Sequence, residues 1–276
     1  MCGPRTCRSF YKSLSLFLLI HLPLTKEQID EIIKAGKTGL KILREETKNT
    51  PFLAAGTIAI HGYNVPYESG QRYVEAFADM WHKGEKEKVK DPEFVREFCN
   101  REEAGPTIGF VKQRCELIPE VAECFEEFCG DDGQKCVTDP RARNQFLKCA
   151  KEIEGVGRKL IDLAAEYLGD DNAVAVDRHV ARWAVKTGVY KPKTPAEEER
   201  IWEVGRISPL VYNKIAEAIR KVAEQVGVKP AEFQVGVWHI TKCEPRGKWR
   251  PTKIEYVRGK AVACKLPEKP LEEYLT

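Results

Sequence analysis

Lys159 and Asp177 are the two side chains whose types and positions most directly suggest catalysis. Lys159 follows a glycine-containing turn at 155–158, and Asp177 comes 18 residues later, directly after an apolar pair. A deprotonated amine is a nucleophile, and a carboxylate stabilises developing positive charge or accepts a proton. The two residues therefore indicate nucleophilic chemistry, with an N-cap of the following helix as the structural alternative for Asp177.

The turn at 153–157 is also a candidate phosphate site. It lies between two segments that are expected to be helical, and Gly155 and Gly157 permit a tight hairpin with outward-facing backbone N–H groups. The positive end of the helix expected at 158–168 would attract the same anion. The structural alternative is an ordinary helix–helix turn, because Gly-x-Gly is common there.

Three segments together resemble the helix-hairpin-helix DNA glycosylase superfamily, the relatives of endonuclease III and of the archaeal 8-oxoguanine glycosylases. The segment Ile153-Glu-Gly-Val-Gly-Arg-Lys159 resembles the hairpin L-P-G-V-G-x-K, with glutamate in place of proline. Val176-Asp-Arg-His179 resembles V-D-x-H, and Thr107-Ile-Gly-Phe-Val-Lys-Gln-Arg114 is similar to T-I-G-L-Y-x-x-K. The resemblance covers about residues 25–242.

The resemblance implies an all-α fold with two helical subdomains, a helix-hairpin-helix motif and an active-site cleft between the subdomains. The glycosylase domain would span 25–242, with subdomain A at about 52–170 and subdomain B formed by 25–51 and 171–242. Residues 1–24 would be an N-terminal extension and 243–276 a basic C-terminal extension. In that extension, 253–257 and 260–264 alternate in polarity like a small β-hairpin.

The implied function is base-excision repair by a DNA glycosylase with AP-lyase activity. The expected target is an oxidised base in double-stranded DNA, with 8-oxoguanine ahead of oxidised pyrimidines. Lys159 would form a Schiff base with the sugar, and Asp177 would stabilise its oxocarbenium character. The alternatives are a uracil or thymine mismatch glycosylase, an oxidised-pyrimidine glycosylase, and a non-enzymatic hairpin module. We expect a cytoplasmic, nucleoid-associated monomer with no membrane partner, and a thermophilic source is left open.

The resemblance and the charge distribution assign residues to DNA contacts. Contacts to the DNA backbone are expected from Gly155, Val156, Gly157, Arg158, Lys242, Arg246 and Lys248. Candidates for the base pocket or wedge are Tyr63, Asn64, Trp81 and Trp238, with plain core packing as the alternative for the aromatic ones. Between residues 239 and 265, eight basic and two acidic residues give a local charge of +6, which suits a phosphate backbone.

Composition excludes two broad classes of protein. The 276 residues are 42% hydrophobic and 32% charged, which excludes a wholly disordered chain and a polytopic membrane protein. The apolar run at 14–24 is too short to span a bilayer and lacks a small-x-small cleavage site, although a signal peptide remains an alternative. The net charge of +3 does not by itself indicate a nucleic-acid partner.

The ten cysteines do not form a metal signature. They include no C-x-x-C pair, and only Cys243 and Cys264 follow the last expected domain helix. The four closely spaced cysteines of the endonuclease III iron–sulfur loop are missing, so we expect no cofactor and no iron–sulfur cluster. The cysteines are either small buried hydrophobic residues or disulfide partners.

Apolar periodicity and capping signals predict an almost entirely helical chain. A capping box opens the first helix at Thr25 and Gln28, and Asp139-Pro140 opens another. Further helices are expected at 52–60, 69–81, from 92 onwards, 114–128, 158–168, 177–186, 194–206, 209–226 and 230–240.

Overall fold

A computed structural model of the protein describes residues 24–62, 65, 67–100, 109–204, 207–242, 253–257 and 260–265. These residues are mostly helical, which confirms the expected all-α class. The helices are α1 (Lys26–Asn49), α2 (Phe52–Ile60), α3 (Tyr67–His82), α4 (Lys86–Lys90), α5 (Pro92–Asn100), α6 (Gly109–Cys115), α7 (Ile118–Cys129), α8 (Gln134–Thr138), α9 (Pro140–Glu152), α10 (Arg158–Tyr167), α11 (Arg178–Lys186), α12 (Pro195–Glu199), α13 (Pro209–Gln225) and α14 (Pro230–Lys242). Strands β1 (Lys253–Val257) and β2 (Lys260–Lys265) pair antiparallel, in the segment whose alternation indicates a hairpin.

Local side-chain signals start the helices at the expected places. The Thr25 N–H donates to Gln28 Oε1 at 2.9 Å, and the Gln28 N–H donates back to Thr25 Oγ1 at 3.2 Å, so the capping box forms. At the start of α9, Asp139 Oδ1 accepts from the Arg141 N–H at 2.8 Å. Each bond satisfies an N–H group that has no partner within its helix.

The single helix expected at 114–128 is wrong. The structure ends α6 at Cys115 and begins α7 at Ile118, with Pro119 in the first turn of the second helix. A proline there cannot donate to the carbonyl of Cys115, and its ring would clash with that carbonyl in a continuous helix. The break falls between the two helices for this reason.

The helix expected at 194–206 also differs. Regular α-helix ends at Glu199, and a π-helical turn, Arg200–Val204, follows. Arg182 of α11 donates from Nε to Ile201 O at 3.3 Å, and its Nη2 donates to Trp202 O. Two carbonyl groups of the turn therefore accept hydrogen bonds from a neighbouring helix. Residues 205 and 206 lie outside the described residues.

Contacts divide the chain into two compact units. Unit 1 comprises Met1–Ile42 and Val176–Thr276, and unit 2 comprises Leu43–Ala175. These limits lie near the boundaries expected from the sequence without coinciding with them, and the domain assignment stays a prediction.

Unit 2 is built around a cluster of aromatic rings. Phe52 of α2 stacks on Trp81 of α3, with ring centroids 4.4 Å apart. Phe125 of α7 meets Phe52 edge-on at 5.3 Å, and Phe146 of α9 meets Phe125 in the same way. Helix α2 is therefore enclosed by its neighbours, and this packing fixes the position of its last residue, Ile60.

Three disulfides cross-link the helices of unit 2. The pairs are Cys99–Cys115, Cys124–Cys149 and Cys129–Cys136. The sequence left open whether the cysteines are small buried hydrophobic residues or disulfide partners. For these six cysteines, disulfide bonding is correct. Such bonds stabilise a fold chiefly by restricting the unfolded chain. The cytoplasmic location stays a prediction, because disulfides occur in oxidising compartments and also inside hyperthermophilic cells.

In unit 1, glycines bring α1 and α14 into backbone contact. A Cβ atom at Gly36 would lie 1.8 Å from the carbonyl oxygen of Glu232, and one at Gly236 would lie 2.0 Å from that of Ile32. Neither position has room for a side chain. The contact fixes the position of α14 within unit 1.

None of the described helices is both long enough and apolar enough to cross a membrane. The expected N-terminal extension, apart from residue 24, lies outside the described residues, so nothing tests it.

Candidate active-site residues

The turn between α9 and α10 has the geometry of a tight, exposed hairpin. Its Val156 N–H donates to Ile153 O at 3.1 Å, and both of these side chains pack against the core of unit 2. Gly155 has φ +87°, a conformation that strongly favours glycine. Gly157 precedes α10, and a Cβ atom there would meet nothing within 4 Å. The backbone at Gly157 is therefore open to a ligand, whereas a Cβ atom at Gly155 would lie 3.5 Å from Arg114 Nη1.

Lys159 lies in the first turn of α10 and is half-buried. Its Nζ donates to the backbone carbonyl of His61 at 2.8 Å, directly after the end of α2. This hydrogen bond orients the amine relative to the hairpin. Tyr63 and Asn64, two of the candidate pocket residues, follow along the chain but lie outside the described residues.

Arg114 joins the hairpin to the end of α2. Its Nη1 donates to Gly155 O at 2.7 Å, while Nε donates to Ala59 O at 2.7 Å and Nη2 to Ile58 O at 2.8 Å. Burial lowers the pKa of Arg114 to about 10, which still leaves the guanidinium charged at neutral pH. A cation at the carbonyl end of a helix is favourable. In the sequence, Arg114 is the last residue of the segment that resembles T-I-G-L-Y-x-x-K, and no role is predicted for it.

Replacing Arg114 by Met should loosen the hairpin. Three carbonyl groups would lose a charged donor, and we expect the free energy of unfolding to fall by about 2–4 kcal/mol. Urea denaturation measures this loss, and hydrogen exchange at the 155–157 amides should accelerate. Arg96→Met is the control, since Arg96 is exposed and forms a surface ion pair with Glu93 at 3.7 Å. Equal losses of unfolding free energy in the two variants would mean that the hydrogen bonds of Arg114 do not stabilise the hairpin.

Asp177 is the N-cap of α11 and is half-buried. Its Oδ1 accepts from the Val180 N–H at 2.8 Å, and its Oδ2 accepts from the indole N–H of Trp238 at 3.1 Å. Just before it, the Val176 N–H donates to Tyr212 Oη at 3.2 Å. Within unit 1, the carboxylate therefore sits on a fixed backbone and uses both oxygens.

The other candidates occupy different environments. Trp81 is 4% exposed in the aromatic core of unit 2, and its indole N–H donates to Asp131 O at 3.1 Å. Of the two roles considered for Trp81, core packing is therefore the correct one.

The basic candidates for DNA contacts are described only in part. Arg158 is exposed and pairs with Asp162 at 3.4 Å. Lys242 ends α14, whereas Arg246 and Lys248 lie outside the described residues.

Two contacts of the candidate site were not predicted from the sequence. The carbonyl of His61 accepts from Lys159, and nothing in the sequence marks that carbonyl. A role for Arg114 in holding the hairpin could have been suspected, because Arg114 ends the segment that resembles T-I-G-L-Y-x-x-K. Among the described residues, no cluster of His, Cys, Asp or Glu side chains could hold a metal ion.

Comparison with known proteins adds one finding. The model of a family of unknown function, DUF7178, matches residues 141–245, which include Lys159, Asp177 and Trp238. The match covers well under half of the chain. No curated protein and no solved structure matches the chain.

Proposed function

We propose that the protein is a DNA glycosylase with AP-lyase activity that removes an oxidised base, with 8-oxoguanine as the favoured target. The observation that carries the proposal is the half-buried amine of Lys159 at the base of the exposed hairpin at 153–157. The proposal includes the finer fold assignment, a helix-hairpin-helix motif formed by α9, the hairpin and α10, within a domain of two helical subdomains.

In the proposed reaction, the neutral amine of Lys159 attacks C1′ of the damaged nucleotide. A bond forms between Nζ and C1′, the N-glycosidic bond breaks, and the base leaves with the bonding electrons and gains a proton. As positive charge develops on the sugar, the carboxylate of Asp177 stabilises it. The attached amine gives up a proton, the C1′–O4′ bond of the sugar ring breaks as O4′ gains a proton, and a Schiff base forms between Nζ and C1′. The Schiff base then loses a C2′ proton, and the 3′ phosphate leaves by elimination. The carbonyl of His61, which accepts one N–H of Lys159, supports this role by orienting the amine.

In the proposal, exposed backbone N–H groups and basic side chains make the contacts to DNA. The N–H groups around Gly155 and Gly157 and the start of α10 would hold a phosphate. Lys242, Arg246 and Lys248 would add phosphate contacts from the basic segment, which position the protein without reading sequence. Extrusion of the base costs a few kcal/mol, and Tyr63 and Asn64 remain the candidates for filling the gap.

A non-enzymatic DNA-binding hairpin module is the second candidate. Two observations favour it: Asp177 caps α11, and Lys159 contacts a backbone carbonyl. Both contacts are compatible with purely structural roles.

A panel of duplexes, each with one modified base, tests the proposal. Incubation of the purified protein with duplexes containing 8-oxoguanine, an oxidised pyrimidine, uracil or a thymine mismatch should nick the 8-oxoguanine strand without alkali treatment. Nicking of another duplex alone would change the assigned substrate. Binding to all duplexes without excision or nicking would favour the hairpin module.

A further inference from the structure

The two carboxylate oxygens of Asp177 are held by different elements of unit 1. Oδ1 accepts from the backbone of α11 at Val180, and Oδ2 accepts from the indole N–H of Trp238 on α14, 61 residues away. The first bond is the ordinary bond of an N-cap. The second is not needed to cap a helix, because a cap uses only one oxygen. It therefore calls for a separate explanation.

The position of Trp238 is itself closely determined. Gly236, two residues earlier, is in backbone contact with α1, where a Cβ atom would lie 2.0 Å from Ile32 O. The neighbouring His239 packs against Gly39, where a Cβ atom would lie 2.3 Å from His239 Nε2. These contacts leave α14 little freedom to slide or rotate, and the indole N–H keeps its direction. A rigid donor of this kind fixes the plane of the carboxylate that it binds.

We propose that Trp238 is a positioning residue that orients the Asp177 carboxylate for base excision, in place of the stacking role expected from the sequence. The inference rests on the proposed function. An indole that donates to a carboxylate restricts rotation about the Cβ–Cγ bond of the aspartate. Its oxygens are then aimed before the substrate arrives, which is how a preorganised charge stabilises a developing cation.

The two chemical steps depend on this orientation differently. Base excision breaks the glycosidic bond and develops positive charge on the sugar, so it needs the oriented carboxylate. Strand cleavage at an abasic site starts from an aldehyde, which Lys159 attacks without breaking a glycosidic bond. Loss of the Trp238 bond should therefore lower excision and leave abasic-site cleavage almost unchanged. A general loss of folded protein would lower both rates together.

The test uses the full chain with Trp238→Phe and Trp238→Leu. The Phe variant loses the N–H donor but keeps an aromatic face of reduced area, while the Leu variant loses both the donor and the aromatic face. We expect single-turnover excision to fall about tenfold to a hundredfold in each variant, with cleavage of a preformed abasic site within about twofold of wild type. Trp183→Phe is the matched control, since Trp183 is a buried tryptophan of the same unit that packs on Phe233. This control variant should excise the base and cleave the abasic site at the wild-type rates.

Each outcome decides between the roles. Wild-type excision in the Phe variant with a loss in the Leu variant would assign stacking to Trp238 and overturn the inference. Equal losses of excision and cleavage would make Trp238 a structural residue and would also overturn it. A wild-type protein that neither excises nor cleaves would remove the proposed function, and the inference with it.

A spectroscopic measurement tests the hydrogen bond apart from activity. In a ¹⁵N–¹H spectrum, Asp177→Asn should shift the indole signal of Trp238 and leave that of Trp183 in place. An unshifted Trp238 signal would overturn the inference even if the protein is an active glycosylase.

Discussion

Replacement of Lys159 by Gln should abolish covalent trapping of the protein on lesion-containing DNA. Glutamine keeps a polar side chain one bond shorter than that of Lys159, whose Nζ donates to the carbonyl of His61 at 2.8 Å. The hairpin also keeps its bond to Arg114, so we expect it to stay folded. Its amide nitrogen is not nucleophilic, so no Schiff base can form. Borohydride reduction during incubation, followed by denaturing electrophoresis, should give a shifted band for the wild-type protein and none for the variant.

Lys135→Gln is the matched control for this experiment. Lys135 lies in the same unit on the short helix α8, and its side chain is exposed. Its variant should trap as the wild type does, which shows that the effect does not follow from losing any one positive charge. Trapping of Lys159→Gln at the wild-type level would contradict the assignment and leave Lys159 as a structural donor.

Replacement of Asp177 by Asn should separate the chemical role of this residue from its capping role. Asparagine caps helices about as well as aspartate does, but its single amide oxygen cannot also accept from Trp238. We therefore expect the free energy of unfolding to fall by about 1–2 kcal/mol, with the fold retained. The amide carries no negative charge to oppose the developing cation, and base excision should fall by roughly three orders of magnitude. DNA binding should stay within about threefold, because this carboxylate contributes nothing to phosphate contacts.

Single-turnover excision, DNA binding and circular dichroism measure these effects together. Asp139→Asn is the control, since Asp139 caps α9 through the Arg141 N–H and has no proposed part in chemistry. Excision by that variant should match the wild type. If excision, binding and helicity fall together in Asp177→Asn, the residue is a cap alone, and the non-enzymatic module becomes the better proposal.

The helical class and most helix starts could be predicted because their signals are local. Thr25 and Gln28 lie three residues apart, and Asp139 bonds a backbone group two residues away. Such contacts form within a single turn and need no partner from elsewhere in the chain. The break before Pro119 was equally local, and the apolar periodicity of 114–128 hid it.

The surroundings of the candidate residues could not be predicted in the same way. Trp81 and Trp238 were indistinguishable as aromatic candidates, yet Trp81 stacks on Phe52 in the core and Trp238 donates to a carboxylate. The disulfide partners were also undetermined, because the number of possible pairings rises steeply with the number of cysteines. Sequence spacing carries no information on which of these groups meet.

The sequence by itself determined a helical chain and the places of Lys159 and Asp177 at the starts of two helices, since both follow from contacts within one turn. Only the tertiary structure decided what holds each side chain: His61 for the lysine, 98 residues away, and Trp238 for the aspartate, 61 residues away. Those partners depend on how whole helices pack. That packing is set by the summed fit of many buried side chains and by the close glycine contact of α1 with α14.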